Sequence, residues 1–334
     1  MILGECLRPP SALEPEAYAY KDWLHLCVFD PQSMVMGIVN VALQGAPADD
    51  RARASGLALF HRPDGGWFGN LEVCGLPRAQ VGVSSIALEQ VAIAVDPRSG
   101  MVSASVRQPD DQLALQLTAQ PAGPALLVDR KMPLRAGWIS WYAVPRLTLR
   151  GEVRIGAERL GLENAQAYHD HNWGRWLWGQ DVAWEWGCFR AAGSGPSFVF
   201  WRICDRDHRR FGSPMLSIVI GSDRRSFQGA AVSAHCPTQP PSFRLRRLPG
   251  AMAALHQDHV RPRLPNVLRI EARDGLGHVA LEFRPRAGAQ LITAEPTTRG
   301  YGFIHELVGE FQSEGNVDGR GFAASGLGIF EYVT

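Results

Sequence analysis

Val267-Leu268-Arg269-Ile270-Glu271-Ala272-Arg273, then Asp274-Gly275, then His278-Val279-Ala280-Leu281-Glu282-Phe283, is the stretch that decides the fold class. Apolar and charged residues alternate on both arms, the period of a strand with one wet face. Asp-Gly between them is a hairpin dipeptide, because glycine adopts positive φ without a Cβ clash. The same period recurs nearer the N-terminus in Leu24 to Phe29, Met36 to Leu43, Gly56 to His61, Ile86 to Val95, Val102 to Arg107 and Leu113 to Thr118. Pro63-Asp64-Gly65-Gly66, Asp96-Pro97-Arg98-Ser99-Gly100 and Gln108-Pro109-Asp110-Asp111 punctuate these runs as turns.

Helical spacing is nearly missing, with Pro249 to His259 the one short candidate. The 35 glycines and 23 prolines suit a turn-rich all-β chain. Roughly twenty strands are too many for one sandwich or barrel. No period of a propeller or solenoid is present. The expected architecture is therefore two β-barrel or sandwich domains in tandem, residues 1–178 and 179–334. Prolines interrupt the stretch from Ser233 to Arg263, which reads as a surface excursion, either a plain loop or a lid.

Composition narrows the function. Lys and Arg number 34 against 33 Asp and Glu, so no polyanionic partner such as nucleic acid is expected. No apolar run reaches the length of a membrane helix, and Met1 to Pro10 lacks the pattern of a secretory signal. The six cysteines are widely spaced with no CxxC pair, pointing to reduced thiols in a cytoplasmic protein. Transient contact with a membrane surface, to collect an oily substrate, is compatible with this composition.

Tyr168-His169-Asp170-His171-Asn172-Trp173-Gly174 is the chemically dense segment, and eight of the ten tryptophans lie between Trp138 and Trp201. On a strand, Tyr168, Asp170 and Asn172 share one face, and His169, His171 and Trp173 the other. Trp184 and Trp186 likewise oppose Glu185. Three readings of His169-Asp170-His171 stand side by side. A His-x-His pair can hold one zinc, though no third ligand spacing accompanies it. Buried Asp and His can satisfy backbone groups where sheets meet. Or Asp170 is an acid or base whose pKa is raised by surrounding indoles.

The last reading has consequences. An acid that protonates an alkene must keep its proton near neutral pH, and charged histidines beside it would undercut that. The two histidines must then be neutral or lie on the opposite face. Trp138, Trp141, Tyr142, Trp173, Trp184 and Trp186 are the candidate walls that would face a carbocation, with Glu185 beside them. His305-Glu306 could bring a further acid into the second domain's interior, although a strand with one polar face explains it as well.

Tyr168 to Gly174, followed by Trp184-Glu185-Trp186-Gly187 and the ending Tyr301 to Glu310 with Gly326 to Val333, resembles the tandem lipocalin-like proteins. That group includes carotenoid 1,2-hydratases (hydroxyneurosporene synthases) and decalin-forming Diels–Alderases. The resemblance implies two lipocalin-like domains, a β-walled pocket, a hydrophobic isoprenoid or polyene as the small-molecule partner, and neither metal nor organic cofactor. It places the acid of the hydratase branch at Asp170; on the catalytic reading of the residues, His169 and His171 orient that acid, and Tyr168 and Asn172 position water or the carboxyl group. Three functions remain open at this point: a hydratase or proton-initiated cyclase, a cofactor-free pericyclase, and a lipid or pigment carrier.

Overall fold

A computed structural model describes residues 5–11, 14, 16–64, 66–110, 112–134, 137–163, 165–178, 183–248, 262–294 and 301–334. The helix expected over Pro249 to His259 lies outside these residues. The chain divides into two compact units, Met1–Leu177 and Trp178–Thr334. Each is a curled, mainly antiparallel sheet, and together they make two lipocalin-like domains in tandem.

In the first unit the sheet runs from Gly66–Gly75 through Arg53–Arg62, Val35–Gln44 and Tyr20–Asp30 to Ala165–Arg175. It continues through Gly137–Ile155, Leu113–Pro121, Val102–Gln108 and Val91–Val95 to the short strands Ser85–Ala87 and Gln80–Val81. Curling brings Gly66–Gly75 to Val102–Gln108. There the Gln108 side-chain amide accepts from Asn70 N–H and donates to Asn70 C=O, both at 3.0 Å. One side chain thus completes a backbone ladder and closes the sheet on its core.

The second unit runs from Asp223–Gln228 through Met215–Ile220, Ser197–Cys204, Ala183–Ala191, Arg320–Val333, Tyr301–Val317 and Gly277–Ala294 to Leu268–Asp274 and Val232–His235. Arg225 reaches from the first of these strands to Asp274 at 2.6 Å and Asp318 at 2.7 Å, linking the two ends.

Most strands follow the alternation seen in the sequence. Leu113, Leu115, Leu117 and Ala119 enter the first core while Gln116, Thr118 and Gln120 are exposed. The diagnostic hairpin forms as Leu268–Asp274 and Gly277–Ala294, but Asp274 pairs with Gly277, so Gly275-Leu276 make the turn. The Asp274 carboxylate accepts from Leu276 N–H at 2.9 Å, which holds this one-residue shift. The single strand expected over Ile86 to Val95 is two, Ser85–Ala87 and Val91–Val95. Glu72 draws the Glu89 and Gln90 amides out of the ladder, at 3.2 and 2.9 Å.

Some strands break the alternation, and three of them carry the site. Ala165–Arg175 is buried through Gly174, Ala183–Ala191 is buried throughout, and Tyr20–Asp30 is buried except at Trp23. A strand covered on both faces can bury chemistry on each of them. Gly174 is required where Ala165–Arg175 meets Gly137–Ile155: a Cβ there would lie 2.1 Å from the Trp138 carbonyl oxygen.

Candidate active site

Ala165–Arg175 lies between Tyr20–Asp30 and Gly137–Ile155, and the register sorts every side chain of the motif. Asp170 is paired with His25 and Ala143, Asn172 with Trp23 and Trp141, and Tyr168 with Cys27. His171 is paired with Leu24 and Tyr142, His169 with Leu26 and Val144, and Trp173 with Asp22 and Ser140. Leu24, Leu26, Tyr142, Val144 and Trp173 all belong to the first unit's apolar core. The histidine face therefore looks into the domain, and the Asp170 face is the reverse of the sheet. Asp170 therefore does not aim at its own domain's core. The reverse face is nonetheless dry: Asp170 is 4% exposed and Tyr168 0%.

On the reverse face, the Tyr168 hydroxyl meets Asp170 Oδ2 at 2.6 Å and the Asn172 amide donates to Oδ1 at 2.6 Å. Trp141 and Trp23 flank Asn172, and Trp23 meets Trp176 edge-on at 5.2 Å. The buried Lys21 ammonium donates to the carbonyls of Ala19 and Trp176, at 3.3 and 2.5 Å. His25 was not singled out from the sequence, yet it is the imidazole on Asp170's own face. Asn40 donates to its Nδ1 at 3.2 Å, so Nε2 carries the hydrogen toward Cys27 Sγ at 3.1 Å. Burial, helped by the nearby charge of His169, lowers the His25 pKa to about 3, so it stays neutral beside Asp170. Its signal was available: a lone histidine at an odd position in the run Leu24 to Phe29 must face away from the leucines.

The inner face holds two carboxylate–imidazole pairs. His169 Nδ1 donates to the His25 carbonyl at 2.8 Å, and Nε2 meets Glu5 at 3.1 Å. His171 Nε2 meets Asp22 at 2.7 Å, and Asp22 also accepts from Tyr20 Oη at 3.0 Å and Arg8 N–H at 2.9 Å. Burial and then the Asp22 charge push the Tyr20 phenol far up, keeping it a donor. Burial opposes a charge on His169, but the Glu5 carboxylate outweighs it and the pKa is raised. Trp173 tilts against His171 at 4.7 Å between ring centres, and Trp138 packs against the same core. Both Nε2 atoms of the His-x-His pair are thus engaged by separate carboxylates. Among the described residues no group of three or more His, Cys, Asp and Glu converges in metal-holding geometry.

The second unit repeats the two-faced arrangement. Trp184 and Trp186 lie on the reverse face, and Trp178 stands 5.2 Å from Trp184. Glu185 turns the other way: its oxygens take Arg202 Nε at 2.8 Å and His208 Nδ1 at 3.0 Å, within a buried network stacked on Tyr332. His305 points to the same core, donating to the Tyr332 carbonyl and accepting from Gln290, and burial lowers its pKa to about 4. Glu306 faces away from that core. It is paired in register with Glu331, the two carboxyls hydrogen-bond, and the Trp184 indole N–H donates to Glu331. Burial, against these hydrogen bonds, raises the Glu331 pKa above the ordinary carboxyl value.

The sign of that shift sets a test. A raised carboxyl contributes stability that is full below its unfolded pKa of 4.5 and is lost as pH climbs to the folded value. The wild type should therefore lose Tm on going from acidic to neutral pH. Glu331→Gln, which copies the protonated acid, should flatten that stretch and raise Tm at neutral pH. An unchanged pH slope in the variant would contradict the shared proton.

Fold and site together define the class: an all-β tandem lipocalin-like protein with ionisable groups held dry among indoles. No family model and no curated protein sequence matches the chain. Similar solved structures do. An AttH candidate protein from Nitrosomonas europaea superimposes with a TM-score of 0.67 at 14% identity, over 99% of this chain and 98% of that one. Kievitone hydratase from Nectria haematococca gives 0.61 at 11% identity, over 99% and 94%. CghA in complex with Sch210972 gives 0.61 at 16%, over 93% and 87%. At these identities the likeness is one of fold, and that fold is the architecture the central-motif resemblance implies. All six cysteines are free thiols, and no helix among the described residues is long and apolar enough to cross a membrane.

Proposed function

We propose that the chain is a hydratase or proton-initiated cyclase of a hydrophobic isoprenoid or polyene, with Asp170 as its acid–base group. The observation that carries this reading is the buried Tyr168–Asp170–Asn172 array, with the two carboxylate–imidazole pairs confined to the strand's other face. Asn172 can only donate through its NH₂, which marks Oδ1 as the acceptor and leaves Oδ2 as the oxygen that takes and gives the proton. The 2.6 Å bond from Oδ2 to Tyr168 serves both states: the phenol donates to the carboxylate and accepts from the acid.

In the forward direction the alkene π pair takes the Oδ2 proton, forming a C–H bond and a cation at the more substituted carbon. The indole faces of Trp141 and Trp23 attract that cation without attacking it. Water adds to the cation, and the proton it sheds returns to Asp170. Capture by a second double bond instead of water would close a ring and move the cation to a new carbon, which loses a proton to the Asp170 carboxylate to leave an alkene. The presence of a hydratase among the similarly folded structures supports the class. A carrier or a pericyclase would use the same aromatic walls without proton transfer.

Incubation with a panel of acyclic isoprenoids in deuterated water separates these readings. Hydration gives a product heavier by one water with deuterium on carbon. An unlabelled cyclic product would point to pericyclic closure, and recovery of unchanged ligand would leave only a carrier.

A further inference from the structure

The inner face of the first domain is occupied at one end by the chain's own N-terminal segment. Leu7 enters the apolar core and its N–H donates to the Val83 carbonyl at 2.8 Å. The Arg8 N–H donates to Asp22, and the Arg8 guanidinium lies over the Trp173 ring at 5.0 Å. Glu5 is fully buried, with Oε2 on His169 Nε2 and Oε1 without a hydrogen-bond partner.

We propose that the segment Glu5 to Ser11 is a reversible plug in the first domain's interior, latched by one proton shared between Glu5 and His169. The geometry fixes the proton count. His169 Nδ1 faces the His25 carbonyl, an acceptor only, so Nδ1 carries hydrogen. A hydrogen bond between Nε2 and Glu5 Oε2 then needs a second proton, on one atom or the other. Without it, a bare nitrogen lone pair faces a carboxylate in a dry core. The partnerless Oε1 makes the seat an incomplete one, as a plug that must leave requires.

Among the described residues, the titratable groups on the packed elements do not replace that proton. Asp170 shares the strand and adds negative potential that favours the charged imidazole. His25, on Tyr20–Asp30, is neutral, and Tyr142, on Gly137–Ile155, is held neutral to about 12 by burial and the Glu5 charge. Asp22 and His171 satisfy each other. The Glu5 charge and hydrogen bond raise the His169 pKa, so docking is favoured fully below the value His169 has without Glu5. It weakens by about tenfold per pH unit from there to the raised value, then levels. Opening uncovers His169, His171, Tyr142 and Trp173 on the inner wall. This inference uses the face opposite Asp170 and stands whether or not the hydratase reading does.

Amide hydrogen exchange of the full-length chain, corrected for intrinsic rates, tests it. The Leu7 and Arg8 amides should lose protection as pH rises above the value His169 has without Glu5, with the tenfold slope, while amides of Tyr20–Asp30 stay protected. His169→Gln and Glu5→Gln should each abolish the slope. Flat protection of Leu7 and Arg8 up to about pH 10 in the wild type would overturn the latch, as would loss of the Tyr20–Asp30 protection in parallel. A variant that kept the slope would do the same.

Discussion

Asp170→Asn should cut turnover by about 10²- to 10⁴-fold, the range a positioned acid–base group contributes, with ligand affinity nearly unchanged. The substitution is close to isosteric and leaves an amide where the carboxyl stood. Its carbonyl oxygen can still accept from Asn172, and its NH₂ can still bond Tyr168, so the strand keeps its packing. What it lacks is a proton it can release to carbon. The comparison is made on the product carrying deuterium at carbon, with a melting curve to show that the variant is folded. Hydration at the wild-type rate in this variant would remove Asp170 from the mechanism. A modest slowing, with the larger losses on Trp→Ala changes at Trp141 and Trp23, would favour pericyclic closure, where rate comes from holding the substrate folded.

Asp22→Ala should be the most damaging single change to stability, at about 3–5 kcal/mol. Asp22 is fully buried and is the common acceptor for His171, Tyr20 and the Arg8 amide. Truncation removes the acceptor that three buried donors share, and an unsatisfied buried donor costs more than a made bond returns. Asp22→Asn should be milder, since its carbonyl oxygen can serve one donor. Urea denaturation measures both. A loss under about 1 kcal/mol for the alanine variant would mean that water reaches His171 and Tyr20, and that this core is not dry.

Much of this was legible beforehand because strands write their faces into alternate residues. The Asp-Gly hairpin and the all-β class follow from period two and turn chemistry alone, whereas the strand over Ala165 to Trp173 is a supposition that the structure bears out as Ala165–Arg175. Parity also separates Asp170 from His169 and His171, although the three readings of that triplet stay open on the sequence alone. The structure puts the members of His169-Asp170-His171 on different faces: the histidines meet the Glu5 and Asp22 carboxylates inside the domain, and the aspartate lies on the reverse face. Glu185 shows the limit. Parity already sets it opposite Trp184 and Trp186, but only the fold brings Arg202 and His208 to hold it.

Local sequence determined where strands run, which residues share a face, and that charges lie among indoles, because those properties depend on neighbours two positions apart. Only the tertiary structure decided which face is inside, since both faces of Ala165–Arg175 are buried and hydropathy cannot rank them. Only it brought Glu5 to His169, Asp22 to His171, and His25 with Asn40 to Asp170. Those partners lie on different segments, and their meeting is set by sheet order and register, which no local period encodes.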